Sequence, residues 1–215
     1  MSKRSRPTLV IVMLIVFSSS FVSVSSATVI SGSVDPAKES EFRAVMRKLW
    51  EDHITWTRLF IVSAAADLPD KAATTERLLR NQSDIGNAVK TYYGNEAGDK
   101  LTALLRDHIT IAAELVGAAK AKDNAKVADA RTRWNANSDE IATFLSGANP
   151  KNWPAADMKK MMREHLDLTT AEATARLSGN WAADIAAYEK VHDQILHMSD
   201  MLSSGIIKQF PDKFR

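Results

Sequence analysis

A chain of 215 residues, 45% apolar and 25% charged, has room for one domain or two small ones and the balance of a packed globular protein. That excludes a large multi-domain enzyme and a wholly disordered or fibrous chain. With no cysteine it can form no disulfide, thiolate metal site, thiol nucleophile or covalent c-type haem, so histidine, methionine and carboxylates must carry any metal. Only 8 Gly and 6 Pro stand among many Ala, Leu, Lys, Asp and Glu, a composition that favours helices over a sandwich or barrel.

Residues 1–27 combine a basic start, Lys3-Arg4-Ser5-Arg6, an apolar centre from Leu9 to Phe17, and small residues at Ser25 and Ala27. These are the parts of a secretory signal, with cleavage expected after Ala27 and an exported, extracytoplasmic product, secreted or periplasmic. The alternative is an uncleaved membrane anchor through residues 8–24, because Phe21, Val22 and Val24 prolong the apolar stretch. Lys3, Arg4 and Arg6 are the only charges in this segment. Without them the 28 basic residues fall to 25 against 26 acidic ones, and the formal charge of +2 becomes −1. The remaining charges are interleaved and make no cationic footprint, which argues against a nucleic-acid partner.

Residues 28–37 lack a sustained period and read as a flexible lead-in to one helical domain over 38–215. A first helix is expected from Lys38 to Ala66, with Met46, Leu49, Trp56, Phe60 and Ala64 on one face. Asp67-Leu68-Pro69-Asp70 breaks it. A second, polar helix follows from Thr74 to Tyr93, stopped by Gly94. Leu101, Leu104, His108, Ile111, Leu115 and Ala119 mark a third over about 96–121, and Lys122-Asp123-Asn124 makes a short turn. Val127, Ala130, Trp134, Asn137, Ile141 and Phe144 lie on a fourth that ends at Gly147-Ala148-Asn149-Pro150. Pro154 opens a fifth to Leu177, and after Ser178-Gly179-Asn180 a sixth runs towards Pro211. Short loops between long helices give an all-α, antiparallel up-and-down bundle of four to five long helices with a shorter polar one.

One constellation carries chemical content. Trp50-Glu51-Asp52-His53, Leu105-Arg106-Asp107-His108, Trp134-Asn135-Ala136-Asn137 and Met162-Arg163-Glu164-His165 each place an apolar residue three positions before a His or Asn. Each polar residue sits within an apolar stripe and is expected to point inward. Three imidazoles with an open fourth position form the ligand set of many zinc sites, and imidazole also suits copper, iron and nickel. His53, His108 and His165 are therefore candidate metal ligands, with Asn137 completing or hydrogen-bonding the site. Asp52, Asp107 and Glu164 point about 100° away from their neighbouring histidines and belong to the surface. The competing reading is a metal-free layer in which Thr57, Thr169 and Glu172 satisfy the imidazoles.

Other features are weaker. Glu189-Lys190-Val191-His192 is a single Glu-x-x-His where a di-iron bundle uses two. Met158, Met161, Met162, Met198 and Met201, beside His165 or His197, offer thioethers for Cu(I) but suit core packing better; a non-covalent haem would use the same residue types. Arg77, Arg80, Asn81, Asp84 and Asn87 read as a solvated face, or Arg80 and Asn81 with Tyr92-Tyr93-Gly94 as a small polar pocket. No phosphate-binding glycine loop, nucleophile motif or acid/base motif is present. The five Trp residues are assigned to core or helix-end packing.

Leu49-Trp50 through His53, Trp56-Thr57-Arg58, Asp67-Leu68-Pro69, Arg77-Leu78-Leu79-Arg80-Asn81, Tyr93-Gly94, Ile111 to Val116, Asn137 with Ile141-Ala142, Asn149-Pro150, His165-Leu166 and Gly205 to Pro211 together resemble a widespread family of small prokaryotic helical-bundle proteins that is functionally uncharacterised. The resemblance spans residues 45–214. Members are sometimes named acetylglutamate kinase or glycosyltransferase, names for which this sequence has no motif. The resemblance implies a helical bundle and places His53, His108, Asn137 and His165 in the matched segments, with His192 and His197 outside them. Two functions follow as expectations. One is an exported bundle holding one transition-metal ion (Zn, Cu, Fe or Ni) through the three histidines. The other is a non-enzymatic small-ligand-binding or scaffold bundle with a buried His/Asn hydrogen-bonded layer and no metal.

Overall fold

A computed structural model describes residues 34–215; the expected export segment, and the lead-in up to residue 33, lie outside the described residues. Helix α1 spans Pro36–Ala66. It begins inside the expected lead-in because Asp35 accepts the Ala37 N–H at 2.9 Å and Pro36 brings a preset φ to the first turn. It ends where Asp67 turns left-handed (φ 53°), and Lys120 reaches across to Ala64 O at 2.8 Å and to Asp67 at 2.5 Å.

Helix α2 spans Lys71–Lys120 but is two arms, 71–93 and 95–120, broken at Gly94, whose φ of 84° and ψ of 169° are open to a residue without Cβ. The arms fold back on each other and meet at Gly86 and Gly98: a Cβ on Gly86 would lie 2.6 Å from the Gly98 carbonyl oxygen. Lys90 and Asp99 close the same seam at 2.5 Å. Gly86→Ala is expected to destabilise the protein by about 1–3 kcal/mol, since the added methyl must push two backbones apart. Urea unfolding reads this directly, and unchanged stability would show that the arms separate without cost.

Asp123 caps α3 (Asn124–Ala148) through the Lys126 N–H at 3.1 Å, and α4 (Ala155–Leu177) follows Pro154. Asn180 caps α5 (Trp181–Gln209) through the Ala183 N–H at 3.2 Å, and a 3-10 turn over Pro211–Phe214 completes the described chain. Each helix packs on the next and α5 returns to α1, so the bundle closes into a ring. Its backbone seam is the Asp35 N–H donating to Phe214 O at 2.6 Å. Counting the arms of α2 separately, the ring is three antiparallel hairpins: α1 with the first arm, the second arm with α3, and α4 with α5.

The all-α antiparallel bundle expected from periodicity is the fold observed. Its main core joins Met46, Trp50 and Ile54 of α1 to Ile85, Leu105, Ile141, Met162, Ile195 and Leu202, each of them buried. Burying a side chain of this size contributes about 1.5–3 kcal/mol. Met158, Met162 and Met198 belong to this packing. Phe42, Tyr92, Phe210 and Phe214 stack at the seam end, with centroids 5.1–5.8 Å apart. Trp181, by contrast, is exposed at the start of α5, with the Arg176 guanidinium 4.7 Å from its ring centre. No helix among the described residues is long and apolar enough to cross a membrane.

Candidate functional site

The inward stripes of α1, the second arm of α2 and α4 carry His53, His108 and His165 to one level of the ring interior. All three are 2–4% exposed. The His53 and His165 ring centres are 5.7 Å apart, and those of His108 and His165 are 6.3 Å apart. Trp50 and Trp134 pack against His53 and His108 at 5.9 and 5.2 Å.

The immediate partners of two imidazoles come from the returning helix of the same hairpin. His108 Nδ1 lies 2.9 Å from Asn137 Oδ1, while Asn137 Nδ2 donates to Leu104 O at 3.0 Å. Likewise His165 Nδ1 lies 3.1 Å from Gln194 Oε1, and Gln194 Nε2 donates to Met161 O at 3.2 Å. A backbone carbonyl only accepts, so each amide must turn its NH2 towards it and its oxygen towards the ring. Nδ1 therefore carries the proton in both histidines, and Nε2 keeps its lone pair.

The interval from histidine to amide is 29 residues in both hairpins. His53 and Gln82 stand at the same interval in the first hairpin. Here Asn81 takes the carbonyl of Leu49 at 3.0 Å, and Gln82 Nε2 donates instead to Leu78 O at 2.8 Å. His53 Nδ1 and Gln82 Oε1 are left buried without partners. Local sequence echoes the repetition: Asp52-His53-Ile54-Thr55 matches Asp107-His108-Ile109-Thr110, and Gln82-Ser83-Asp84 matches Asn137-Ser138-Asp139. The three hairpins thus share one histidine-to-amide interval, and the histidine–amide bond itself is made in two of them.

Burial holds all three imidazoles neutral. His108 is driven down to about 3 by burial and then by the neighbouring His165, against the opposing bond to Asn137. Burial likewise pushes His53 well below its ordinary value, reinforced by His165 and His108. His165 is lowered by burial despite its bond to Gln194. A cavity of about 30 Å³ adjoins the three rings, walled otherwise by apolar side chains that include Met46, Met162 and Met198.

Asn137 is brought to the layer as the hydrogen-bond partner of His108, with both ends of its amide engaged. The partners expected for the metal-free reading are also different. The hydroxyls of Thr57 and Thr169 donate to the backbone oxygens of His53 and His165, each at 2.8 Å, and Glu172 binds Arg58 at 3.0 Å. Asp107 and Glu164 are exposed, and Asp52 pairs with Lys48 at 2.6 Å. His192 pairs with Glu51 at 3.0 Å, and His197 is exposed. The polar pocket expected around Arg80, Asn81 and Tyr92-Tyr93 does not form. Asn81 is buried under α1, whereas both tyrosines pack in the aromatic cluster at the seam. Gln82 and Gln194 lie in no motif of their own; the 29-residue interval after each histidine is the signal that finds them.

About a tetrahedral ion at metal–nitrogen distances of 2.0–2.1 Å, imidazole centres stand roughly 5 Å apart. The observed rings are somewhat wider, and among the described residues no three His, Asp or Glu side chains already stand in a metal-holding arrangement. No protein-family model matches the chain, and neither the curated proteins nor the solved structures include a match.

Proposed function

We propose that this chain is an exported helical-bundle protein that binds one transition-metal ion through the Nε2 atoms of His53, His108 and His165. The observation that carries the reading is the setting of three buried imidazoles around one small cavity, two of them held by an amide from the returning helix. Neutral imidazole is the ligating form, and an amide oxygen held on Nδ1–H is the kind of outer partner that fixes tautomer and ring direction around a metal. Drawing His53 and His108 towards His165 by about an ångström would bring those two pairs of ring centres to the roughly 5 Å spacing of a tetrahedral site. In the first hairpin His53 Nδ1 and Gln82 Oε1, a donor and an acceptor at the same 29-residue interval, both lack other partners. Asn137, Gln194 and Gln82 are then positioning residues. Three imidazoles would leave a fourth coordination position for water or a small ligand.

Elemental analysis of the folded chain, purified without chelator or histidine tag, tests this. About one equivalent of Zn, Cu, Fe or Ni is expected, lost in His53→Ala, His108→Ala and His165→Ala variants that remain folded. Asn137→Leu and Gln194→Leu are expected to weaken metal affinity about 10- to 100-fold, the usual effect of losing an outer partner. A folded chain that is empty and takes up none of the four metals overturns the reading.

A second reading has its own support. The bonds His108–Asn137 and His165–Gln194 already satisfy two of the three imidazole N–H groups without a metal, as a self-contained polar layer in a binding or scaffold bundle requires. That layer predicts a melting temperature indifferent to chelator.

A further inference from the structure

One helical turn beyond the histidine layer lies a second and larger cavity, of about 160 Å³. Its wall is mostly apolar, built from Phe60 and Val116 with the small residues Ala113 and Ala173 leaving the space and Thr57, Thr169, Thr170 and Thr174 also lining it, and Trp134 separates it from His108. None of the three histidines lines it. Arg131 on α3 is the only charged residue in its lining. On the same helix Asp129 is taken by Arg133 at 2.9 Å, and Glu114 of α2 is taken by the same guanidinium at 2.5 Å. No carboxylate among the described residues pairs with it.

We infer that this cavity is a binding site for a small monocarboxylate with a compact aromatic or branched aliphatic body, the body seated between Ala113 and Ala173 and the carboxylate on Arg131. Size sets the body: a buried apolar cavity of about 150 Å³ accepts a benzene ring, and this one is of that class. Chemistry sets the head. The exposed guanidinium offers paired N–H donors that fit a carboxylate, and an ammonium would meet it as a like charge. The site is independent of the metal reading, because it uses neither the histidines nor their amides.

Titration calorimetry on the full chain, with benzoate, benzyl alcohol and benzylamine as probes, tests the inference. Benzoate is expected to bind saturably at one site, benzyl alcohol about fivefold more weakly for want of the ion pair, and benzylamine more weakly still. Arg131→Gln should remove the preference for benzoate over benzyl alcohol and leave the alcohol's affinity unchanged. Ala113→Leu and Ala173→Leu, made separately, fill the cavity and should abolish binding of all three probes without lowering the melting temperature. Absence of benzoate binding, benzylamine binding as tight as benzoate, or benzoate affinity unaltered in either folded leucine variant overturns the inference. The ranking of the three probes is read on the wild type and survives a variant that fails to fold.

Discussion

Arg58→Ala will destabilise the folded chain by about 3–5 kcal/mol. Arg58 lies between α1, α4 and α5 and holds two carboxylates that water does not reach: Glu172, 1% exposed, at 3.0 Å, and Asp184, 0% exposed, through both guanidinium nitrogens. Tyr188 covers the guanidinium, its ring centre 5.3 Å away. Without Arg58, Asp184 keeps only Arg176 at 3.3 Å and Glu172 keeps no cation. Burial already raises Glu172 to about 7, with the Arg58 bond pulling the other way. Losing the arginine removes that counterweight, so the carboxyl must hold its proton or remain a buried unpaired charge. Urea unfolding at pH 7.5 measures the loss, and in a Glu172→Gln background it should shrink because one of the two stranded charges is gone. A cost below about 1 kcal/mol would mean that the trio behaves like an exposed ion pair.

Acidification gives the second large effect. A histidine whose folded pKa is depressed binds fewer protons in the native state than in the unfolded one, so stability falls as pH drops below the ordinary 6.5 and goes on falling towards the folded pKa. For His108 that window runs from 6.5 down to about 3, and His53 and His165 shift in the same direction. Well inside the window each excluded proton costs about 1.4 kcal/mol per pH unit. Glu172 acts oppositely: its folded pKa is raised, so its contribution is present at low pH and lost as pH rises from 4.5 to about 7. Near pH 5 the fall from His108 alone outweighs the opposing rise from Glu172, and His53 and His165 add to it in the same direction. Urea midpoints at pH 7.5, 6 and 5 should fall steeply for the wild type and less steeply for His108→Gln. A flat profile down to pH 4.5 would show that the imidazoles are reached by protons in the folded state.

The architecture was legible because each helix carries its own punctuation. Asp67-Leu68-Pro69-Asp70, Gly94, Lys122-Asp123-Asn124, Asn149-Pro150 and Gly179-Asn180 all mark chain reversals in the structure, including the one inside the continuous span of α2. The inward direction of His53, His108 and His165 was legible too, because each lies in an apolar stripe. Their partners were not. Periodicity reports which face of a helix is buried but says nothing about the height at which two antiparallel helices meet. That depends on loop length, and the loops here bring an amide level with each histidine after 29 residues. Asn81 was misread for a related reason: its polar neighbours Arg77 and Arg80 suggest a wet face, yet Asn81 lies within one turn of Leu78 and Ile85 and is drawn inside with them. The sharing of Arg58 by Glu172 and Asp184 joins residues more than a hundred positions apart and leaves no local trace.

The closing of the ring between Asp35 and Phe214 has a bearing on how the chain could be rewired. The two ends of the folded domain are bonded neighbours, and the three hairpins they enclose repeat one design. Order along the chain is then a matter of connectivity more than of packing. A circular permutant that joins residue 215 to residue 34 by a short linker and opens the chain at Lys151, between the second and third hairpins, keeps every helix-to-helix contact and the whole histidine layer. The smallest unit of this architecture is the hairpin, and the bundle is three of them sharing an axis.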